Sequence, residues 1–142
     1  MLSRGVTVLY AREQDLSVAE FSRVLDESGL GATRPLDDPA RIEEMLRGAN
    51  LIVTARLDGP KRELVGVARA ITDFSWCCYL PELAVSRSAQ GLGVGKGLID
   101  ELRRQAGPRV SLVLQSMPDA TGFYEKIGMP RMPDGFMFKR ER

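Results

Sequence analysis

The sequence predicts an α/β fold of mixed α+β character: one domain over residues 1–142, with a largely antiparallel twisted sheet of about six strands flanked by about four helices. Three observations predict it. Short β-rich runs alternate with helix-periodic segments in the order β-α-α-β-β-β-α-β-α-β. Two of the central runs are separated only by the turn segment DGPKR, which makes them a hairpin. The 142-residue length suits a single hydrophobic core, and no repeat, low-complexity tract or interdomain linker interrupts it.

VTVLYA (6–11) alternates and reads as the first strand. From Ser17, a natural N-cap, Val18, Phe21, Val24 and Leu25 recur at helical spacing until Gly29. After the loop GATRPLDDP, a second helix starts at about Pro39, buries Ile42, Met45 and Leu46, and ends at Gly48. LIVTARL (51–57) and ELVGVARAITD (63–73) form the hairpin, with Gly66 as a possible bulge. WCCYLPELAVS (76–86) is the next strand. Its Pro81 cannot donate to a ladder and marks an edge, a splayed position or a bulge. Leu92 to Ala106 is an amphipathic helix with Val94, Leu98, Ile99 and Leu102 inward, closed by Gly107-Pro108. RVSLVLQS (109–116) is a buried strand. Asp119 caps a short helix through Ile127, and the Met- and Phe-rich residues 131–140 form a last strand.

The bulk composition excludes several functions. The net charge of +1 gives no electrostatic footprint for nucleic acid or an acidic membrane. No apolar run is long enough to span a bilayer. The N-terminal apolar run of MLSRGVTVLYAREQ is too short, broken by Arg12, Glu13 and Gln14, for a signal peptide, so a cytoplasmic protein is expected. Cys77 and Cys78 are adjacent, which suits neither a disulfide nor a metal site, and they are expected as two partly buried thiols. The sequence has no histidine, which removes Ser-His and Cys-His pairs and the common zinc hydrolase motifs. No metal is expected, and any proton transfer falls to carboxylates, tyrosine, lysine, cysteine or water.

Glycines 91, 93, 95 and 97 crowd the start of the 92–106 helix. Each glycine inside a helix costs about 1 kcal/mol relative to alanine. Close approach of a ligand to the backbone, or tight helix-on-sheet packing, would justify them. A helix N-terminus with free N–H groups and partial positive charge suits a phosphate, and Lys96 and Arg87 add charge nearby. A P-loop requires glycine where Gln90 stands and a hydroxyl residue where Gly97 stands. The dinucleotide pattern G-x-G-x-x-G ends on Lys96 or on Leu98 and fails as well. The pattern Q/R-x-x-G-x-G/A does fit, as Gln90-Gly91-Leu92-Gly93-Val94-Gly95, after a strand ending Leu83-Ala84-Val85. This arrangement resembles the signature of the GNAT superfamily of acyl-CoA-dependent N-acyltransferases. About thirty residues on, ATGFYEKIGM (120–129) is similar to the A-x-x-F-Y-x-x-x-G motif, followed by Phe or Met, that such proteins carry after their fifth strand.

The resemblance implies a GNAT-like fold and roles for individual residues. Gln90, Gly91, Leu92, Gly93, Val94, Gly95 and Lys96 would hold the pyrophosphate of acetyl-CoA. Leu83, Ala84 and Val85 would bind the pantetheine arm and polarise the acetyl carbonyl through their main chain. An N–H aimed at a developing oxyanion in a dry site is strong stabilisation. Tyr124 would donate to the departing thiolate, whose charge appears only as the C–S bond breaks. Glu82 is the proton acceptor suggested by position, set against a surface or salt-bridged carboxylate, and Asp73 is a weaker alternative.

The function expected is transfer of an acetyl group from acetyl-CoA to a primary amine, on a small molecule or a peptide, by direct attack in a ternary complex. The alternatives are a non-catalytic acyl-CoA-binding sensor or assembly module, and a different nucleotide-binding protein disfavoured by the failed motifs. The acceptor would be selected by residues 30–39, 73–79 and the C-terminal segment. FMF (136–138) would either pack in the core or pair across a homodimer.

Overall fold

The computed structural model describes residues 5–142. Residues 1–4, part of the segment read as too short for a signal peptide, lie outside the described residues. The elements are β1 (Val8–Arg12), α1 (Val18–Ser28), α2 (Pro39–Gly48), β2 (Leu51–Leu57), β3 (Leu64–Thr72), β4 (Cys77–Val85), α3 (Val94–Ala106), β5 (Ser111–Val113) and α4 (Thr121–Lys126). The sheet runs β1-β2-β3-β4-β5, antiparallel except for the parallel β4–β5 pair. The mixed, largely antiparallel sheet with four helices is the predicted architecture, with five strands instead of six. Among the described residues no helix is long and apolar enough to cross a membrane.

Period-2 alternation sends the sheet's apolar side chains to two separate cores. On one face Leu51, Val53 and Ala55 of β2 and Ala68 and Ala70 of β3 pack under Val94, Leu98 and Leu102 of α3. On the other, Ile52, Leu64 and Val67 meet Phe21, Val24 and Leu25 of α1 and Ile42 and Leu46 of α2. The caps are as the sequence implies. Ser17 accepts from Glu20 N, and Gly29 ends α1 in the left-handed region at φ 89°. Asp38 accepts from Arg41 N ahead of Pro39.

Both suspected irregularities are bulges. Ala55 faces Gly66 while Arg56 faces Leu64, so β3 carries an extra residue at Val65. On β4, Arg69 faces Glu82 while Ile71 faces Tyr79, so Ala70 stands opposite both Leu80 and Pro81. The second bulge exchanges the faces of β4. Cys78 and Leu80 join the α3 side, whereas Ala84 joins the α1–α2 side and Leu83 and Val85 turn toward α3.

Three expectations at the C-terminal end are corrected. Residues 131–140 form no strand; Phe136 and Phe138 are fully exposed, at 98% and 104%, so FMF does not pack in the core. With no ladder partner, the β propensity of that segment has nothing to act on. The run 109–116 yields only the three-residue, part-exposed β5. Asp119 does not cap α4; it sits inside the 3₁₀ turn Pro118–Ala120, and the N-cap position falls on Ala120.

Candidate functional site

The site is built where β4 leaves β5. Their parallel pairing covers only Cys77–Tyr79 against Ser111–Val113, while β4 continues through Leu80 to Val85. Ser86 N donates to Val65 O on β3 at 2.8 Å. Antiparallel alternation therefore turns the main-chain groups of Ala84 toward β3 and those of Leu83 and Val85 toward the diverging edge. The side chain of Gln90 donates to Val85 O on that edge at 3.0 Å, tying the glycine loop to the strand.

The four glycines divide into two pairs. Gly91 and Gly93 have φ of 84° and 79°, a region L side chains rarely adopt, and a Cβ at either would meet open space. Gly93 is the N-cap of α3 and offers no side-chain cap. The first α3 bond runs from Gly97 N to Gly93 O at 2.9 Å, leaving the N–H groups of Val94, Gly95 and Lys96 without a partner among the described residues, at the positive end of the helix. Gly95 and Gly97 are packing positions. A Cβ at Gly95 would stand 2.9 Å from Phe123 Cζ, and one at Gly97 2.8 Å from Tyr10 Cε1. Lys96 is exposed and pairs with Asp100 at 2.8 Å, and Leu92 is also exposed.

Phe123 brings the two sequence motifs together. It docks α4 onto the first turn of α3 at Gly95, and its ring meets Tyr124 edge-on at 5.0 Å between centroids. Tyr124 is partly buried, and that burial pushes its phenol above the ordinary 10.0.

Glu82 follows the bulge and is buried at 2% exposure. Its carboxylate accepts from Arg69 Nε and Nη2, the latter at 3.2 Å, and from Arg34 Nε at 2.9 Å. Arg69 also donates to Met45 O of α2 at 3.0 Å. The ion-paired alternative weighed for Glu82 is thus realised in the interior. Neither arginine is marked by any local motif, because both are recruited across long sequence separations.

Asp73, the weaker base candidate, caps the β3–β4 turn. It accepts from the N–H groups of Ser75, Trp76 and Cys77 at 2.9, 2.7 and 3.0 Å. Those bonds hold its carboxyl down to about 2. Cys77 is exposed and Cys78 buried, where two partly buried thiols were expected, because adjacent strand residues face opposite sides. Burial pushes the Cys78 thiol up. Among the described residues no group of three or more Cys, Asp and Glu is placed to hold a metal ion. A cavity of about 940 Å³ runs along α3 between β5 and residues 127–130. Lys96, Arg103 and Arg104 line it, but it reaches neither Tyr124 nor Leu83 and Val85.

Comparison with known proteins gives the same picture. The acetyltransferase (GNAT) family matches over residues 18–129. The uncharacterized N-acetyltransferase ycf52 of Pyropia yezoensis is 26% identical over 131 residues, covering 90% of this chain and 73% of its own. The chloroplastic GCN5-related N-acetyltransferase 1 of Arabidopsis thaliana is 29% identical over 135 residues, covering 94% and 66%. Two solved structures share the fold. A GNAT family acetyltransferase of Streptococcus pneumoniae TIGR4 has a TM-score of 0.71 at 20% identity, covering 96% of this chain and 100% of its own. An aminoglycoside N-acetyltransferase, AAC(6')-Iy, in complex with CoA has a TM-score of 0.70 at 18% identity, with both chains covered fully at 100%. With the glycine loop opening α3, β4 splayed from β5 and the Phe-Tyr helix seated on Gly95, the match over most of the chain places this protein in the acetyltransferase (GNAT) family.

Proposed function

We propose that this protein is an acetyl-CoA-dependent N-acetyltransferase acting on a primary amine of a small molecule or peptide by direct attack. The observation that carries this reading is the seating of Phe123, the residue before Tyr124, on Gly95 of the first turn of α3. Gly91 and Gly93 bend the chain without side chains in the way, and the free N–H groups of Val94, Gly95 and Lys96 receive the pyrophosphate. Leu83 and Val85 offer main-chain groups at the diverging edge, for the pantetheine amides and for the thioester oxygen. Ala84, turned toward β3, contributes a buried methyl instead.

Acetyl-CoA supplies an activated acyl group. The amine nitrogen bonds to the thioester carbon and loses its proton to water, the C–S bond breaks, the sulfur takes a proton from Tyr124, and solvent returns a proton to the tyrosinate. Burial suits Tyr124 to this role by keeping it protonated past its ordinary range. Glu82, filled by two guanidiniums, acts in this reading as the anchor of β4 and not as the proton acceptor. The free thiols of Cys77 and Cys78 suit a reducing compartment such as the cytoplasm.

Thermal shift with acetyl-CoA, ATP and NAD tests the donor, and thiol release across an amine panel tests turnover. Stabilisation by ATP alone overturns the reading. Stabilisation by acetyl-CoA without turnover on any amine favours a non-catalytic acyl-CoA-binding module.

A further inference from the structure

We infer that Arg34 is a positioning residue that couples donor binding on β4 to the order of the 30–38 segment on the acceptor side. The inference rests on the reading of the site given under Proposed function and on the expectation that residues 30–39 help to select the acceptor. Arg34 lies in the connection between α1 and α2, and its guanidinium spans two parts of the molecule. Nη1 donates locally to Thr33 O at 3.2 Å and Thr33 Oγ1 at 2.9 Å. On its far side Nη2 donates to Pro81 O at 2.8 Å and Nε to Glu82 Oε2 at 2.9 Å.

Those two acceptors are the bulge residue Pro81 and the residue after it. The bulge decides which main-chain groups of β4 face the diverging edge, since it reverses the parity of the strand between Leu80 and Glu82. Arg34 therefore grips the feature that aims Leu83 and Val85. Other hydrogen bonds of the 30–38 segment are local: Arg34 N to Gly31 O, Leu36 N to Arg34 O and Asp38 N to Pro35 O. Among the described residues, Arg34 makes its only hydrogen bonds to the sheet.

The same carboxylate is also held by Arg69, which in turn donates to Met45 O of α2. Glu82 is thus a buried hub joining β3, β4, α2 and, through Arg34, the loop. A planar fork that fills a carboxylate and a carbonyl at once fixes distance and direction together, which a flexible ammonium cannot do. A ligand ordering Leu83 and Val85 in the wild type orders the loop through this fork. The donor then prepares the acceptor side before the amine arrives.

Hydrogen–deuterium exchange of the full chain, with and without acetyl-CoA, tests this. In the wild type acetyl-CoA slows exchange in both 91–97 and 30–38, by about tenfold or more. In Arg34→Met the slowing at 91–97 persists while that at 30–38 is lost. If Arg34→Met does not fold, Arg34→Lys, which keeps the charge but cannot span both oxygens, gives the same loss. Protection of 30–38 that survives in the variant overturns the coupling, as does wild-type protection confined to 91–97. Absence of wild-type protection at 91–97 instead overturns the donor assignment.

Discussion

Gly97 of α3 lies directly against the ring of Tyr10 of β1: a Cβ there would stand 2.8 Å from Cε1 and nearer still to Cζ and Oη. The four-glycine run thus serves two purposes, and substitutions separate them. Gly97→Ala forces overpacking between α3 and β1 and destabilises the fold by about 1–3 kcal/mol, read as a lower Tm. Gly93→Asp meets no packing neighbour, but it strains a backbone at φ 79° and places a carboxylate at the mouth of α3. It should weaken acetyl-CoA binding strongly in calorimetry, and near-normal affinity would contradict the loop assignment.

Tyr124→Phe removes one hydroxyl from a partly buried ring. In steady-state kinetics kcat falls more than KM for acetyl-CoA rises, by about a hundredfold for a general acid. In the proposed acid role the active form is the protonated phenol, and burial raises its pKa above 10.0, so Tyr124 should cause no loss of kcat below that pH. An effect confined to KM argues against the acid role.

Glu82→Gln leaves Arg69, at 7% exposure, without its counter-charge. Stripping one partner from a buried pair destabilises by about 3–5 kcal/mol, which chemical denaturation measures directly. A variant of unchanged stability that has lost the acidic limb of its pH–rate profile would restore Glu82 as the proton acceptor.

Asp73→Ala removes three N–H partners' acceptor from the β3–β4 turn. The folded carboxyl titrates at about 2, below its ordinary 3.8. Its stabilising contribution is therefore complete above the ordinary value and lost as pH falls through the folded one. The Tm difference between wild type and variant should be constant near neutrality and shrink between pH 3.8 and about 2. A pH-independent difference would mean that charge plays no part in the cap.

Phe136 and Phe138, fully in water in the single chain, are proposed to meet a second copy in a homodimer. Light scattering of the wild type then gives twice the chain mass, and Phe136→Ser with Phe138→Ser gives the monomer. A monomeric wild type at high concentration removes the proposal.

Much of this protein is legible along the chain because its determinants are local. Ser17, Gly29, Asp38-Pro39 and Gly107 bound helices by interactions within a few residues. Gly91 and Gly93 announce a backbone bend because only glycine takes positive φ at no steric cost. Pro81 marks the β4 bulge because it lacks a donor, while Gly66 stands next to the β3 bulge at Val65, where a Cβ on Gly66 would meet Leu98 of α3 at 2.9 Å. Residues 131–140 form no strand because a strand is defined by its partner, and they find none among the described residues. Asp119 failed as a cap because the chain turns once more before α4 begins.

By itself, then, the sequence determined the order of elements as far as α4 and the bends of the glycine loop, since each depends on residues a few positions apart. Only the tertiary structure decided that Gly95 exists for Phe123, that Gly97 exists for Tyr10, and that Glu82 is gripped by Arg34 and Arg69. Those relations join positions far apart along the chain. Their partners are chosen by sheet register and helix docking, and no local pattern carries that choice.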